Sequence, residues 1–144
     1  MDQIQKPRVL FICTGNSARS QMAEAILKNI GGSKFDVYSA GHEPSTVNPF
    51  TIKVLSEIGI DWSKAQAKGL TEFLGKLHFG YVITVCSRAE ERCPIFPGVG
   101  QRLHWPFDDP AAVEGSEEEK LNAFRTIRDE IQEKVTDWYG SLSK

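Results

Sequence analysis

Residues 8–20 constrain this chain more than any other stretch. Arg8-Val9-Leu10-Phe11-Ile12 is a short apolar run that leads without a break into Cys13-Thr14-Gly15-Asn16-Ser17-Ala18-Arg19-Ser20. A helix-like segment, Gln21 to Ile30, follows directly. A buried strand that turns straight into a helix belongs to a layered α/β architecture. The small and polar residues of the turn let successive backbone N–H groups face inward. Such a loop at a helix N-terminus binds a tetrahedral oxyanion. The same positive field favours the thiolate of Cys13, the form in which cysteine is a nucleophile. Most unpaired cysteines are small buried hydrophobes, and a Cys-x5-Arg spacing alone carries little. The strand before it, the helix after it and the filling between carry the reading. The candidate oxyanion-binding residues are Thr14, Gly15, Asn16, Ser17, Ala18, Arg19 and Ser20, with Cys13 as nucleophile.

The rest of the chain continues in α/β alternation. Ser20 reads as the N-cap of a first helix that ends near Gly31-Gly32. Phe35–Ala40 reads as a second strand. Asn48-Pro49 is an N-cap followed by proline at the first helical position, opening a helix that stops at Gly59. A shorter helix is expected over Thr71–Leu77. Tyr81–Cys86 is a continuous run rich in β-branched residues, as in a strand buried on both faces. Arg102–Trp105 reads as a fourth strand. Ser116-Glu117-Glu118-Glu119 forms a capping box. It opens a long helix with Leu121, Phe124, Ile127, Ile131, Val135 and Trp138 on one face. The order β-α-β-α-(α)-β-β-α predicts a doubly wound parallel sheet. Ligands of such sheets bind beyond the C-terminal strand ends. Cys13 and Cys86 both end strands and should open onto the same rim.

Two further clusters bear on chemistry. Cys93 follows Cys86 by seven residues and is followed by Pro94. Either thiol alone reads as a core or incidental cysteine. Two thiols near an activated third offer a relay of attack, mixed disulfide and resolution. The spacing is too long for a Cys-x-x-Cys pair, so the segment between must bend or unfold. His104-Trp105-Pro106-Phe107-Asp108-Asp109-Pro110 comes next. A carboxyl held before proline, beside a tetrahedral anion, can protonate a leaving oxygen; it can equally cap a turn. His104 reads as a packing or hydrogen-bonding residue, and Gly98-Val99-Gly100 as a turn.

Composition narrows the field. The chain has 144 residues, enough for one domain with one sizeable core. Its 17 basic and 19 acidic residues leave a formal charge of −2, which offers no electrostatic reason to bind nucleic acid. No apolar stretch is long enough to span a bilayer, and residues 1–7 lack a signal-peptide apolar region. A cytoplasmic location, a monomer and mostly reduced cysteines are therefore expected. Three cysteines fall short of a four-ligand zinc site.

Together these residues resemble the low-molecular-weight protein tyrosine phosphatase family, and within it the thioredoxin-coupled arsenate reductases. The Cys13–Ser20 loop, Gln21-Met22-Ala23-Glu24, Ser39-Ala40-Gly41 and Val47-Asn48-Pro49 carry the likeness. So do Gly59-Ile60-Asp61, Val82 to Cys86, Cys93-Pro94 and Phe107-Asp108-Asp109-Pro110. It covers nearly the whole chain. The phosphatases lack the downstream cysteine pair, and they usually carry aromatic residues where this chain has Ala111-Ala112.

The resemblance implies a single-domain three-layer αβα sandwich around a four-stranded parallel sheet. It also implies roles. Cys13 attacks arsenate, held by Arg19 and the loop N–H groups, with phosphate or sulfate as competing oxyanions. Asp109 protonates the leaving oxygen. Cys86 attacks Cys13 and releases arsenite, and Cys93 then attacks Cys86. The Cys86–Cys93 disulfide is reduced by thioredoxin, or by glutaredoxin. No flavin, metal or nicotinamide cofactor is implied. Some relatives bind potassium through residues matching Asn16, Glu24, Ser39 and a further acid. Near that last position this chain has Ala67-Lys68-Gly69, so a Lys68 ammonium could pair with Glu24 instead, or Lys68 could be a solvated surface residue. A phosphatase using only Cys13, Arg19 and Asp109, and a non-catalytic oxyanion or redox-sensing module, are the alternatives.

Overall fold

The computed structural model describes residues 6–73, 76–86 and 100–142. Four strands form one parallel sheet in the order β2-β1-β3-β4: β1 (Arg8–Cys13), β2 (Asp36–Gly41), β3 (Tyr81–Thr84) and β4 (Gln101–His104). The chain goes from β1 to one side of the sheet and then crosses to the other. The switch point therefore lies between β1 and β3, where Cys13 ends its strand. This is where open α/β sheets bind ligands.

The apolar run Val9–Ile12 is fully buried because β1 is central and covered on both faces. On one face lie α1 (Arg19–Gly31) and α3 (Glu117–Leu142). Trp138 of α3 stacks on Phe35 and meets Tyr81 edge-on, while Phe11 meets Trp105. On the other face Tyr38 packs against Phe73 and Phe79. The α/β three-layer expectation is met. Among the described residues the layer opposite α1 and α3 holds a 3₁₀ turn, Leu70–Glu72; the helix expected over 71–77 runs through residues 74 and 75, which lie outside the described residues.

Helix α2 (Pro49–Ser56) begins as read, with the Asn48 side chain accepting from the Phe50 N–H at 2.9 Å. It ends three residues before Gly59, whose φ of +85° closes the turn after it. The capping box of α3 forms: the Glu119 N–H donates to Ser116 Oγ, and the Ser116 N–H to Glu119 Oε1. One cap differs. Helix α1 starts at Arg19 on an Ala18 N-cap with no side-chain hydrogen bond, so Ser20 lies inside the helix. No helix among the described residues is long and apolar enough to cross a membrane.

Candidate active site

Cys13 ends β1, buried, and the chain turns through residues 14–18 into α1. The orientation of this loop is dictated by its carbonyls, each of which is held from outside. Cys13 O accepts from the His42 N–H, Thr14 O from Glu43, Gly15 O from Ser45, Ser17 O from Asn48 and Ala18 O from Met22, all at 2.9–3.4 Å. Ser17 O also accepts from the Thr51 hydroxyl. Asn16 O accepts from Gln21 Nε2 at 3.1 Å. A trans peptide points its N–H opposite to its C=O. Holding every carbonyl outward therefore turns the N–H groups inward. Those of residues 14–18 have no protein acceptor among the described residues.

The result is a depression of about 200 Å³ lined by Cys13, Thr14, Gly15, Ser17, Ala18 and Arg19, with Asp109 and Ala111 at its side. Tight turning requires two conformational exceptions. Asn16 has φ +51°, in the left-handed region that Asn tolerates. Gly41, at the end of β2, sits so close that a Cβ there would fall 2.6 Å from Thr14 O and 2.7 Å from Asn16 N.

Asn16 and Ser20 are fully buried under the loop and do not line the depression. Ser20 Oγ lies 2.8 Å from Cys13 Sγ and accepts from Asn16 Nδ2. This explains the missing cap: the hydroxyl expected at the helix end is engaged with the thiol, and the helix N-terminus faces the depression uncapped. Asn16 Nδ2 also donates to Ser39 Oγ, which donates to Glu24 Oε1. Glu24 is buried and paired with two ammonium groups, Lys28 at 2.7 Å and Lys68 at 3.4 Å. Lys68 is thus engaged with Glu24 and is not a freely solvated surface residue. With Asn16 Oδ1 accepting from Gln21 and from the Lys68 N–H, these residues do not fit a potassium ion as well.

Arg19 is anchored by donating Nη1 to Phe107 O at 3.0 Å. Its Nη2 lies 3.7 Å from Asp109 Oδ2. Of the two uses read for Asp109, the turn cap is present. Its Oδ1 accepts from the Ala111 N–H and caps a 3₁₀ turn, Pro110–Ala112, while its carboxylate flanks the depression. Asp108 is exposed and is not among the lining residues.

Beyond β3 the Val85 N–H still bonds Ile12 O, so residue 86 arrives beside residue 14. Cys86 is buried, with Sγ 3.5 Å from Thr14 Oγ1. Both Cys13 and Cys86 are free thiols. Cys93 and Pro94 lie outside the described residues. His104 Nδ1 pairs with Thr84 Oγ1 at 2.7 Å, the hydrogen-bonding role read for it.

Sequence reasoning left Gln21 and the Phe107 carbonyl without roles. No local signal marks either, since a buried glutamine and a backbone oxygen acquire meaning only from what faces them.

Residues 8–144 match the low molecular weight phosphotyrosine protein phosphatase family. The chain belongs to that family. Within it, the chain is 46% identical over 133 residues to an arsenate reductase of Halalkalibacterium halodurans, covering 92% of this chain and 94% of the relative. It is 42% identical over 130 residues to an arsenate reductase of Bacillus subtilis, covering 90% and 93%. Among solved structures, an arsenate reductase in the phosphate binding state superposes with a TM-score of 0.80 at 31% identity, covering 94% of this family member and 98% of that chain. A thioredoxin-dependent arsenate reductase of Corynebacterium glutamicum superposes with a TM-score of 0.72 at 32% identity, covering 96% of this chain and 64% of that one.

Proposed function

We propose that this phosphatase-family protein is an arsenate reductase that recycles through thioredoxin. The reading is carried by the contact between Cys86 Sγ and the hydroxyl of Thr14, which brings a second thiol to the residue next to the nucleophile. A phosphatase has no use for a thiol there. A reductase must deliver two electrons, and a second thiol supplies them by forming a disulfide.

Arsenate, a tetrahedral oxyanion, is received by the inward N–H groups and Arg19. The Cys13 thiolate attacks arsenic, an S–As bond forms, and one As–O bond breaks. Asp109 gives the departing oxygen its proton, so that it leaves as water. The Cys86 thiolate then attacks Cys13 Sγ. The S–As bond breaks, and its electron pair stays on arsenic, which departs as trivalent arsenite. The Cys13–Cys86 disulfide is attacked by Cys93, which frees Cys13 as thiolate and leaves a Cys86–Cys93 disulfide. An external dithiol, thioredoxin or else glutaredoxin, reduces that bond. Cys93 enters on the family resemblance and on the thioredoxin dependence of the C. glutamicum neighbour. The same Cys13, Arg19 and Asp109 would hydrolyse phosphate monoesters slowly. The activity fits arsenic detoxification in a reducing cytoplasm.

The deciding experiment is arsenate-dependent NADPH oxidation with thioredoxin and thioredoxin reductase, run beside a glutaredoxin and glutathione system. Multiple turnover with the first supports the proposal. Phosphatase turnover with no arsenate reduction in either system overturns it.

A further inference from the structure

The loop carbonyls are held by backbone donors at every position from Cys13 to Ala18 except one. Among the described residues Asn16 O has only a side-chain donor, Gln21 Nε2 at 3.1 Å. Gln21 is fully buried on the first turn of α1. Its amide is itself oriented from both ends. Oε1 accepts from the Trp62 indole N–H at 2.8 Å, and Nε2 also reaches Asn16 Oδ1 at 2.9 Å and Gln66 O at 3.0 Å. The Trp62 bond fixes which end of the amide is the donor, because an indole N–H can only donate.

From this we infer that Gln21 is the positioning residue that sets the Asn16–Ser17 peptide plane and so aims the Ser17 N–H at the bound oxyanion. The physical reason is the opposition of C=O and N–H across a trans peptide. Gln21 draws Asn16 O beneath the loop, and the Ser17 N–H must then face the depression that Ser17 lines. Asn16 is the residue least able to hold this plane alone. Its φ of +51° lies in a sparsely populated region from which an unrestrained peptide relaxes. Gln21 touches no substrate atom and takes no part in bond making. Its effect on turnover rests on the arsenate reductase reading, but its effect on anion binding does not.

The test is binding of inorganic phosphate by calorimetry and by amide NMR, with arsenate kinetics alongside. Gln21→Met keeps the length and volume of the side chain and removes both ends of its amide. A hydrogen bond to a charged acceptor corresponds to about a tenfold to hundredfold change in affinity. Phosphate should bind Gln21→Met weaker by that factor, and the arsenate KM should rise in parallel. The Ser17 amide resonance should shift downfield on phosphate saturation of the native protein and shift little in Gln21→Met. A merely structural glutamine would lower the melting temperature and leave the Ser17 shift in place. That outcome, or a folded Gln21→Met with phosphate affinity within twofold of native, overturns the inference. Should Gln21→Met not fold, Trp62→Phe carries the test. It leaves Gln21 present but removes the donor that orients its amide. Weaker phosphate binding with a diminished Ser17 shift supports the inference, and native values for both overturn it. A native protein that binds phosphate but reduces no arsenate would sink the reductase reading alone.

Discussion

The Cys86 thiol and the Thr14 hydroxyl lie 3.5 Å apart, although 72 residues separate them in sequence. The contact follows from the switch in strand order. Residues 12 and 84 pair across β1 and β3, so two residues further along both chains residue 14 lies beside residue 86. It sets the buried thiol of Cys86 against the loop that follows Cys13.

Separate thiol substitutions should separate two activities. Cys13→Ser should abolish arsenate reduction and any hydrolysis of a chromogenic aryl phosphate. Cys86→Ser and Cys93→Ser should abolish thioredoxin-supported turnover and leave the hydrolysis intact. Steady-state assays of the three variants check this, and sustained turnover by Cys93→Ser would replace the three-thiol relay with a two-thiol route.

Of the two adjacent carboxylates, Asp109 is the one beside Arg19 and the depression. Asp109→Asn should retain phosphate binding and slow turnover by roughly 10²–10⁴, the range for a lost general acid. Asp109→Asn also keeps an oxygen for the Ala111 N–H, so the turn survives. Asp108→Asn should change rates little. Pre-steady-state rates of the two variants decide, and the reverse order would transfer the role to Asp108.

Glu24 is buried and holds two ammonium groups, so removing one should weaken the fold without unpairing the carboxylate. Lys68→Ala should cost about 1 kcal/mol, less than the 3–5 expected when a buried charge loses its only partner. That corresponds to a melting temperature lower by about 4 °C. Exchanging sodium for potassium at constant ionic strength should leave the native protein unchanged and partly stabilise the variant. Thermal melts in the two salts test both statements; a native protein stabilised by potassium alone would contradict the pairing seen here.

Glu57, just past α2, joins that helix to α3 through Arg125 and Arg128, both at 2.7 Å. The hydrogen bond from Arg125 leads in holding its carboxyl below the ordinary value of 4.5, against opposing desolvation. A carboxylate whose value is lowered by folding stabilises the fold above its unfolded value and loses that contribution as pH falls through its folded one. Glu57→Gln should therefore melt a few degrees below the native protein at pH 7, on the scale of exposed ion pairs. The gap should close progressively below pH 4.5. A gap unchanged down to pH 3 would refute the linkage.

Much of this protein was legible along the chain because its determinants are local. Apolar runs, the Asn48-Pro49 start and the Ser116 capping box fix their elements through neighbours within four residues. The Cys13–Ser20 loop announces an oxyanion because a strand, small residues and a helix are consecutive. Other features depended on what folding brings opposite them. Ser20 reads as a helix cap in sequence, but the fold sets a thiol against its hydroxyl, and that contact displaces the cap. Phe73 reads as one apolar position of a short helix in sequence, and only folding sets its ring against Tyr38 and Phe79. Lys68 and Glu24 are 44 residues apart, and only the closing of residue 68 onto Gly41 makes them an ion pair. Residue chemistry and short-range order thus determine which groups are available. Long-range strand pairing decides which of them meet, because partners far apart in sequence are selected by burial and register that no single segment contains.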